Sequence, residues 1–433
     1  MRILQVVGSA CALPLLLLGQ ANQKERDKAQ ISRIRTLEKS GGTDSLSQLG
    51  AFLQDPDPAV RVQAVKAIVS VGSTASLDPL LIATRDADGE VRVRATDGIV
   101  NVYVPGYVTQ HGLSGYFTRG ARQIKSFFSA RNDSVIDEDV TVREDIGPAI
   151  AQEINLVGET APRSNAALAA GILRLKAAVP ALLQALHARD NDLIFESLVA
   201  LQKIRDPSAG PGVEFLVPDL DERTQVTALE TVGVLHCTAA APDVRYAVEN
   251  ARNLKVKRAA LSALAMLALP ADRPVFKQYA NNGDPALRVA ALEGLGRLRE
   301  PEDTPILQAS YDEANADWRI HLAAAFGLVN EGNVSTAELS PLPYLVETLN
   351  SGQRADVADA YLKELIHREE VRKSIVKTLD GATKAEKLAL CWIFAASHSE
   401  DLLPALKQLA IDGDAEVATA AKRATIVVET RHQ

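Results

Sequence analysis

The sequence predicts an all-α fold, an α-solenoid in which about ten or eleven antiparallel helix pairs stack into a superhelix. Three observations point there. Pro180, Pro211, Pro242, Pro274 and Pro305 recur at steps of 31 or 32 residues, each followed by a short apolar helical stretch. The chain is 47% hydrophobic but only 4% aromatic, so its apolar mass is Ala, Leu and Val, which suits close helix stacking better than a sandwich or a ring-lined cavity. Apolar residues also recur three and four positions apart within each unit, the spacing of a helix face.

From the N-terminus, Arg2 precedes an apolar run from Ile3 to Leu18, and Gly19-Gln20-Ala21 offers small residues where a signal peptidase cuts. At about 16 residues the run is short for a membrane span, which takes roughly 20. Residues 1–21 therefore read as a cleaved signal peptide of an exported, periplasmic protein. The alternative is an uncleaved anchor, residues 3–18, in the inner membrane. Residues 22–44, charged with sparse apolar positions, read as a tether or loose helix.

Repeats occupy residues 45–104 and 145–430. Aligned on their second helices, one core column runs Val65, Thr96, Ala169, Leu198, Leu229, Leu261, Leu292, Ala323. A second runs Ile68, Ile99, Ile172, Leu201, Val232, Leu264, Leu295, Phe326, and a third Val71, Val102, Leu175, Ile204, Leu235, Leu267, Leu298, Val329. Gly233, Ala265, Gly296 and Gly327 lie between the columns; a mid-helix Gly costs about 1 kcal/mol against Ala, so its recurrence implies close backbone packing. Lys66, Asp97, Glu230, Ser262 and Glu293 follow the first column and form a mixed polar strip, read as a solvated face or a partner contact. A helix around Glu416 to Val428 should close the stack with a polar outer side.

Asp57, Asp88, Asn253, Asp284 and Asn315 each stand four residues before a basic residue, Arg61, Arg92, Lys257, Arg288 and Arg319. Asp or Asn there can cap a second helix while the cation lies one turn on. This pattern resembles the HEAT repeat family, specifically the HEAT-like variety named after phycobilisome lyases. The resemblance implies a scaffold with capping-Asp and Arg ladders along the stack. It also implies an alternative, a lyase or accessory protein acting on a cofactor-bearing client; a membrane-tethered scaffold is a third reading, carried by an uncleaved N-terminal run.

The step from Ile99 to Ile172 is 73 residues, some ten more than two ordinary repeats need. Residues 105–144 form an irregular insertion that gathers Tyr107, Tyr116, Phe117, Arg119, Arg122, Lys125 and Arg131 in an otherwise aromatic-poor chain. Aromatic anchors beside Arg are enriched at binding hot spots. These seven residues are the candidate partner-binding set. The same rings could instead plug a groove or lie on an anionic membrane surface.

No catalytic set emerges. Ser374 and Lys377 have S-x-x-K spacing without its companion motifs, and His111 to Gly115 lacks a full G-x-S-x-G. The seven histidines are scattered and no C-x-x-C occurs, so no metal site and no cofactor is expected. Cys237 and Cys391 fall in distant repeats and read as buried small hydrophobes rather than a disulfide. The net charge of −8 argues against a nucleic-acid binder. What remains is a non-catalytic scaffold for a protein partner of unknown identity, meeting a membrane only if the N-terminal run is retained.

Overall fold

The computed structural model describes residues 12–40, 42–108, 135–137 and 139–430. Among them every regular element is helical. The chain divides into two compact units, residues 1–119 with 142–181, and residues 120–141 with 182–433. None of the described helices is long and apolar enough to cross a membrane.

The first unit holds α1 (Ala12–Ser40), α2 (Thr43–Ala51), α3 (Pro58–Val71), α4 (Leu77–Ala83), α5 (Gly89–Tyr103), α6 (Ile146–Ile154) and α7 (Thr160–Ile172). Helices α3, α5 and α7 stack in a row, and α2, α4 and α6 each pack on the next member of it. Residues 12–40 form one helix that lies along α3, with Ile34 fully buried, so α1 occupies the place of a preceding second helix. Because α5 packs directly on α7, the 73-residue step holds one repeat plus an insertion, not the two repeats plus ten residues that its length suggests. The insertion breaks the sequence period without breaking the row.

The chain passes between units within α8 (Val179–Ala185). The second unit holds α9 (Asn191–Ile204), α10 (Glu222–Val234), α11 (Ala241–Asn250), α12 (Leu254–Leu267), α13 (Arg273–Tyr279), α14 (Pro285–Leu298), α15 (Thr304–Tyr311) and α16 (Trp318–Asn330). It continues with α17 (Pro341–Thr348), α18 (Ala355–Leu365), α19 (Glu369–Ile375), α20 (Lys384–Ala396), α21 (Leu403–Leu409) and α22 (Ala415–Thr430). Second helices α9, α10, α12, α14, α16, α18, α20 and α22 contact one another in that order. This is the expected all-α solenoid arrangement.

The first two apolar columns are buried at every position, while Val71, Val102 and Leu298 of the third are half-buried. Thr96 breaks the apolar first column for a reason: its hydroxyl donates to buried Glu153 at 2.7 Å. Between α9 and α10 the expected first helix is replaced by 3-10 turns, Pro207–Gly212 and Glu214–Leu216. Pro211 removes a helix donor there, and Gly210 and Gly212 on either side of it weaken α-helix further.

Turns before the second helices share a finer pattern than the one read from sequence. In Asp55-Pro56-Asp57, Asp86-Ala87-Asp88, Asp219-Leu220-Asp221, Asn282-Gly283-Asp284 and Asp412-Gly413-Asp414, the first side chain accepts the backbone N–H of the third residue at 2.8–2.9 Å. The third then caps the helix, as Asp57 does by accepting from Ala59 N–H at 2.8 Å. Arg61 links successive turns, donating to both carboxylate oxygens of Asp86 at 2.7 and 2.8 Å and to the Asp55 carbonyl at 2.8 Å. Two positions differ from expectation. Asp317, not Asn315, caps α16, because that helix starts at Trp318. Arg258, not Lys257, reaches the next cap, Asp284. A second ladder joins first helices: Arg245 grips Asp272, and Arg273 grips Asp303, both carboxylates being fully buried.

Candidate functional site on the second-helix face

The position after the first core column carries polar side chains on successive helices of the larger unit, Glu230 on α10, Ser262 on α12 and Glu293 on α14. Solvation explains them poorly. Glu293 is 2% exposed, and Glu230 and Ser262 are half-buried. Desolvation pushes the Glu230 carboxyl up to about 7, so it sits near half-ionised at neutral pH. In the smaller unit the equivalent residues are also half-buried. Burial, and then Arg94, hold the Lys66 ammonium below its usual range, and Asp97 accepts from Asn165 Nδ2 at 3.0 Å.

Glu293 anchors a network that crosses three helices. Tyr361 on α18 donates its hydroxyl hydrogen to Glu293 Oε1 at 2.5 Å, and Arg297, one turn along α14, donates to Oε2 at 3.2 Å. Arg297 also forms a two-point pair with Glu364 of α18, at 2.8 and 2.9 Å. Its guanidinium lies 5.1 Å from the Phe326 ring, which stacks on Tyr361 with centroids 4.7 Å apart. Burial works against the Arg297 charge, but Glu364 and Glu293 outweigh it and hold it firmly protonated. Burial first, and Glu293 second, raise the Tyr361 phenol well above its usual value, so it stays a donor. Next to it, Arg368 donates to Asn330 Oδ1 at 3.0 Å, and Asn330 donates to the Gly296 carbonyl at 2.9 Å.

Close backbone packing holds this face rigid. A Cβ on Gly296 would lie 2.4 Å from Cα of Gly327, so α14 and α16 touch through their main chains. Glu293, Tyr361, Arg297 and Asn330 are each tied to a partner on a neighbouring helix or turn. Such an arrangement presents fixed donors and acceptors. Ser374, of the S-x-x-K spacing, is buried on α19. No cluster of three or more potential metal ligands occurs among the described residues. Cys237 and Cys391 are buried and unbonded to each other, and desolvation raises the Cys391 thiol to about 12.

Of the insertion residues, Tyr107 is 3% exposed. Tyr116, Phe117, Arg119, Arg122, Lys125 and Arg131 lie outside the described residues. The buried network was missed in the sequence because Glu293 and Tyr361 are 68 residues apart and share no motif. The signal that could have found it is a carboxylate and an Arg at i, i+4 on a helix whose other inward positions are apolar.

Residues 15–99 and 241–327 match the family model for HEAT repeats. These two stretches carry HEAT repeats. The second HEAT match covers α11 through most of α16 and so includes Glu293 and Arg297. Comparison with curated proteins found no match. Among solved structures, the complex of CpcE and CpcF of phycocyanin lyase from Nostoc sp. PCC7120 is 19% identical, covering 68% of this chain and 90% of that one at a TM-score of 0.33. An engineered protein is 15% identical over 92% of this chain and 99% of its own, at 0.32. Kap121p is 13% identical over 88% of this chain and 45% of its own, at 0.37. Similarities of this size speak to neither partner nor activity.

Proposed function

We propose that this HEAT-repeat chain is a non-catalytic scaffold of the bacterial cell envelope that binds a protein partner on the second-helix face of its larger unit. One observation carries the reading. A stack of repeats needs only apolar side chains to seal itself, yet Glu230, Ser262 and Glu293 place polar groups at one position of three successive helices. Burying polar groups costs stability unless they are satisfied, and it preorganises them for recognition. The Tyr361 and Arg297 bonds to Glu293 provide that satisfaction.

A binding face of this kind loses affinity when its fixed groups are removed and leaves the helices intact. The test is affinity capture of envelope proteins by the wild-type chain and by Glu230→Ala/Ser262→Leu, with helix content followed by circular dichroism. Loss of a reproducible partner at unchanged helix content supports the reading; unchanged capture contradicts it. The envelope location rests on the apolar run from Ile3 to Leu18. N-terminal sequencing of the protein from fractionated cells decides it, with a start after Ala21 in the periplasmic fraction as the expected result.

A further inference from the structure

A short irregular segment of the chain, closed by a turn in which Val140 N–H donates to the Asp137 carbonyl at 3.1 Å, lies against α22. Within the larger unit, Arg423 of α22 donates to Asp139 at 2.8 and 2.7 Å and to Asp137 at 2.9 Å, although 284 and 286 residues separate them in sequence. The Arg423 guanidinium is 5.1 Å from the ring of Trp392 on α20. Ile136, next to the first aspartate, is buried, and Val135 and Val140 are half-buried. The segment thus offers one aliphatic anchor and two carboxylates to a single Arg laid on a Trp, without helix or sheet of its own.

We propose that the Trp392 and Arg423 surface of α20 and α22 is a docking site for a short, turned acidic segment of a partner protein, of the form apolar-Asp-x-Asp, and that Ile136, Asp137 and Asp139 occupy it in cis. The proposal deepens the scaffold reading and rests on it, naming a second contact and the chemistry of its ligand. One observation and two general considerations favour an exchangeable occupant over a fixed staple. Arg423 and Asp137 remain 42% and 62% exposed in their pair, although Asp139 is only 19% exposed, and exposed ion pairs hold weakly. Ordering an irregular segment also costs conformational entropy. Trp and Arg are also the residues most enriched at interface hot spots, and the occupant already present reveals which charge and spacing the site accepts. The Arg423 bond, against the cost of burial, keeps the Asp139 carboxyl below the usual range, so the contact persists at neutral pH.

Strap and site can be separated by charge. A fluorescein-labelled peptide of residues 135–141 is titrated, with anisotropy as readout, into the full chain as wild type, as Asp137→Asn/Asp139→Asn, and as that variant with Arg423→Gln added. Thermal melts confirm that each is folded. The freed variant should bind at least tenfold more tightly than wild type, and Arg423→Gln should remove at least tenfold of that affinity. A peptide carrying Asn at both aspartates should not bind. Absence of binding to the freed variant at millimolar peptide, equal binding to wild type, or binding that survives Arg423→Gln overturns the proposal. Failure here leaves the Glu230 and Ser262 face untouched, since its own capture experiment reads a separate surface.

Discussion

Tyr361 and Glu293 share a hydrogen bond of 2.5 Å in the interior of the larger unit, between helices α18 and α14. Their contact fixes the end of α18 against a helix two places back in the row of second helices. A phenol is the suitable donor: it fills the space beside Phe326 while supplying the proton that the buried carboxylate requires.

Tyr361→Phe keeps the ring and removes the donor, leaving Glu293 with Arg297 alone. A buried acceptor that loses its partner costs about 1–3 kcal/mol. Urea denaturation should show that loss at an unchanged slope. A variant as stable as wild type would show that Arg297 satisfies the carboxylate by itself.

Glu153 on α6 gives the smaller unit a pH dependence. Burial pushes its carboxyl from 4.5 up to about 8, partly opposed by the Thr96 hydroxyl and by Arg92, while Asp97 adds to the rise. Below about 4.5 folded and unfolded chains both hold the proton, and its contribution to stability is complete. Between there and about 8 only the folded chain holds it, so stability falls as pH rises, by up to about 1.4 kcal/mol per pH unit. Glu153→Gln should flatten that part of the profile when urea midpoints are compared from pH 5 to 8. Parallel profiles for the two proteins would refute the assignment.

Gly296→Ala and Gly50→Ala should move stability in opposite directions. Intrinsic helix preference favours Ala at both by about 1 kcal/mol. At Gly50 a Cβ meets nothing within 4 Å, so the gain should be realised. At Gly296 it would stand 2.4 Å from Cα of Gly327, and spreading α14 from α16 should cost about 1–3 kcal/mol net. Paired thermal melts measure both.

Ala268, Arg205 and Arg299 close their helices in the left-handed region at φ of 48°, 56° and 59°. Glycine adopts this conformation without the strain of a Cβ. Ala268→Gly relieves a left-handed cost of about 1–2 kcal/mol and loses part of that to unfolded-chain entropy, so it should raise stability by roughly 0.5–1 kcal/mol, read as a shift in the denaturation midpoint.

The architecture was legible because repetition writes the same packing rule many times: every residue of the columns through Val65 and Ile68 is buried. The capping positions Asp57, Asp88, Asn253 and Asp284 were legible for the same reason. Asn315 misled, since Asp317 stands two residues later with equal capping chemistry and α16 starts after it. The companion aspartates, such as Asp55 and Asp86, passed unnoticed although their two-residue spacing is regular. The candidate site was far less legible. Glu293 reads as a surface residue until Tyr361 and Arg297 are seen beside it, and the pairing of Asp139 with Arg423 spans 284 residues that no periodicity relates.

The most direct test of the scaffold account is photo-crosslinking in the native cell from a benzoylphenylalanine placed at Ser262, on the second-helix face, against one placed at exposed Tyr246 on first helix α11. The account predicts adducts of one or a few defined masses from position 262 and none of those masses from position 246. Adducts from Tyr246 alone, or the same set from both positions, would contradict it.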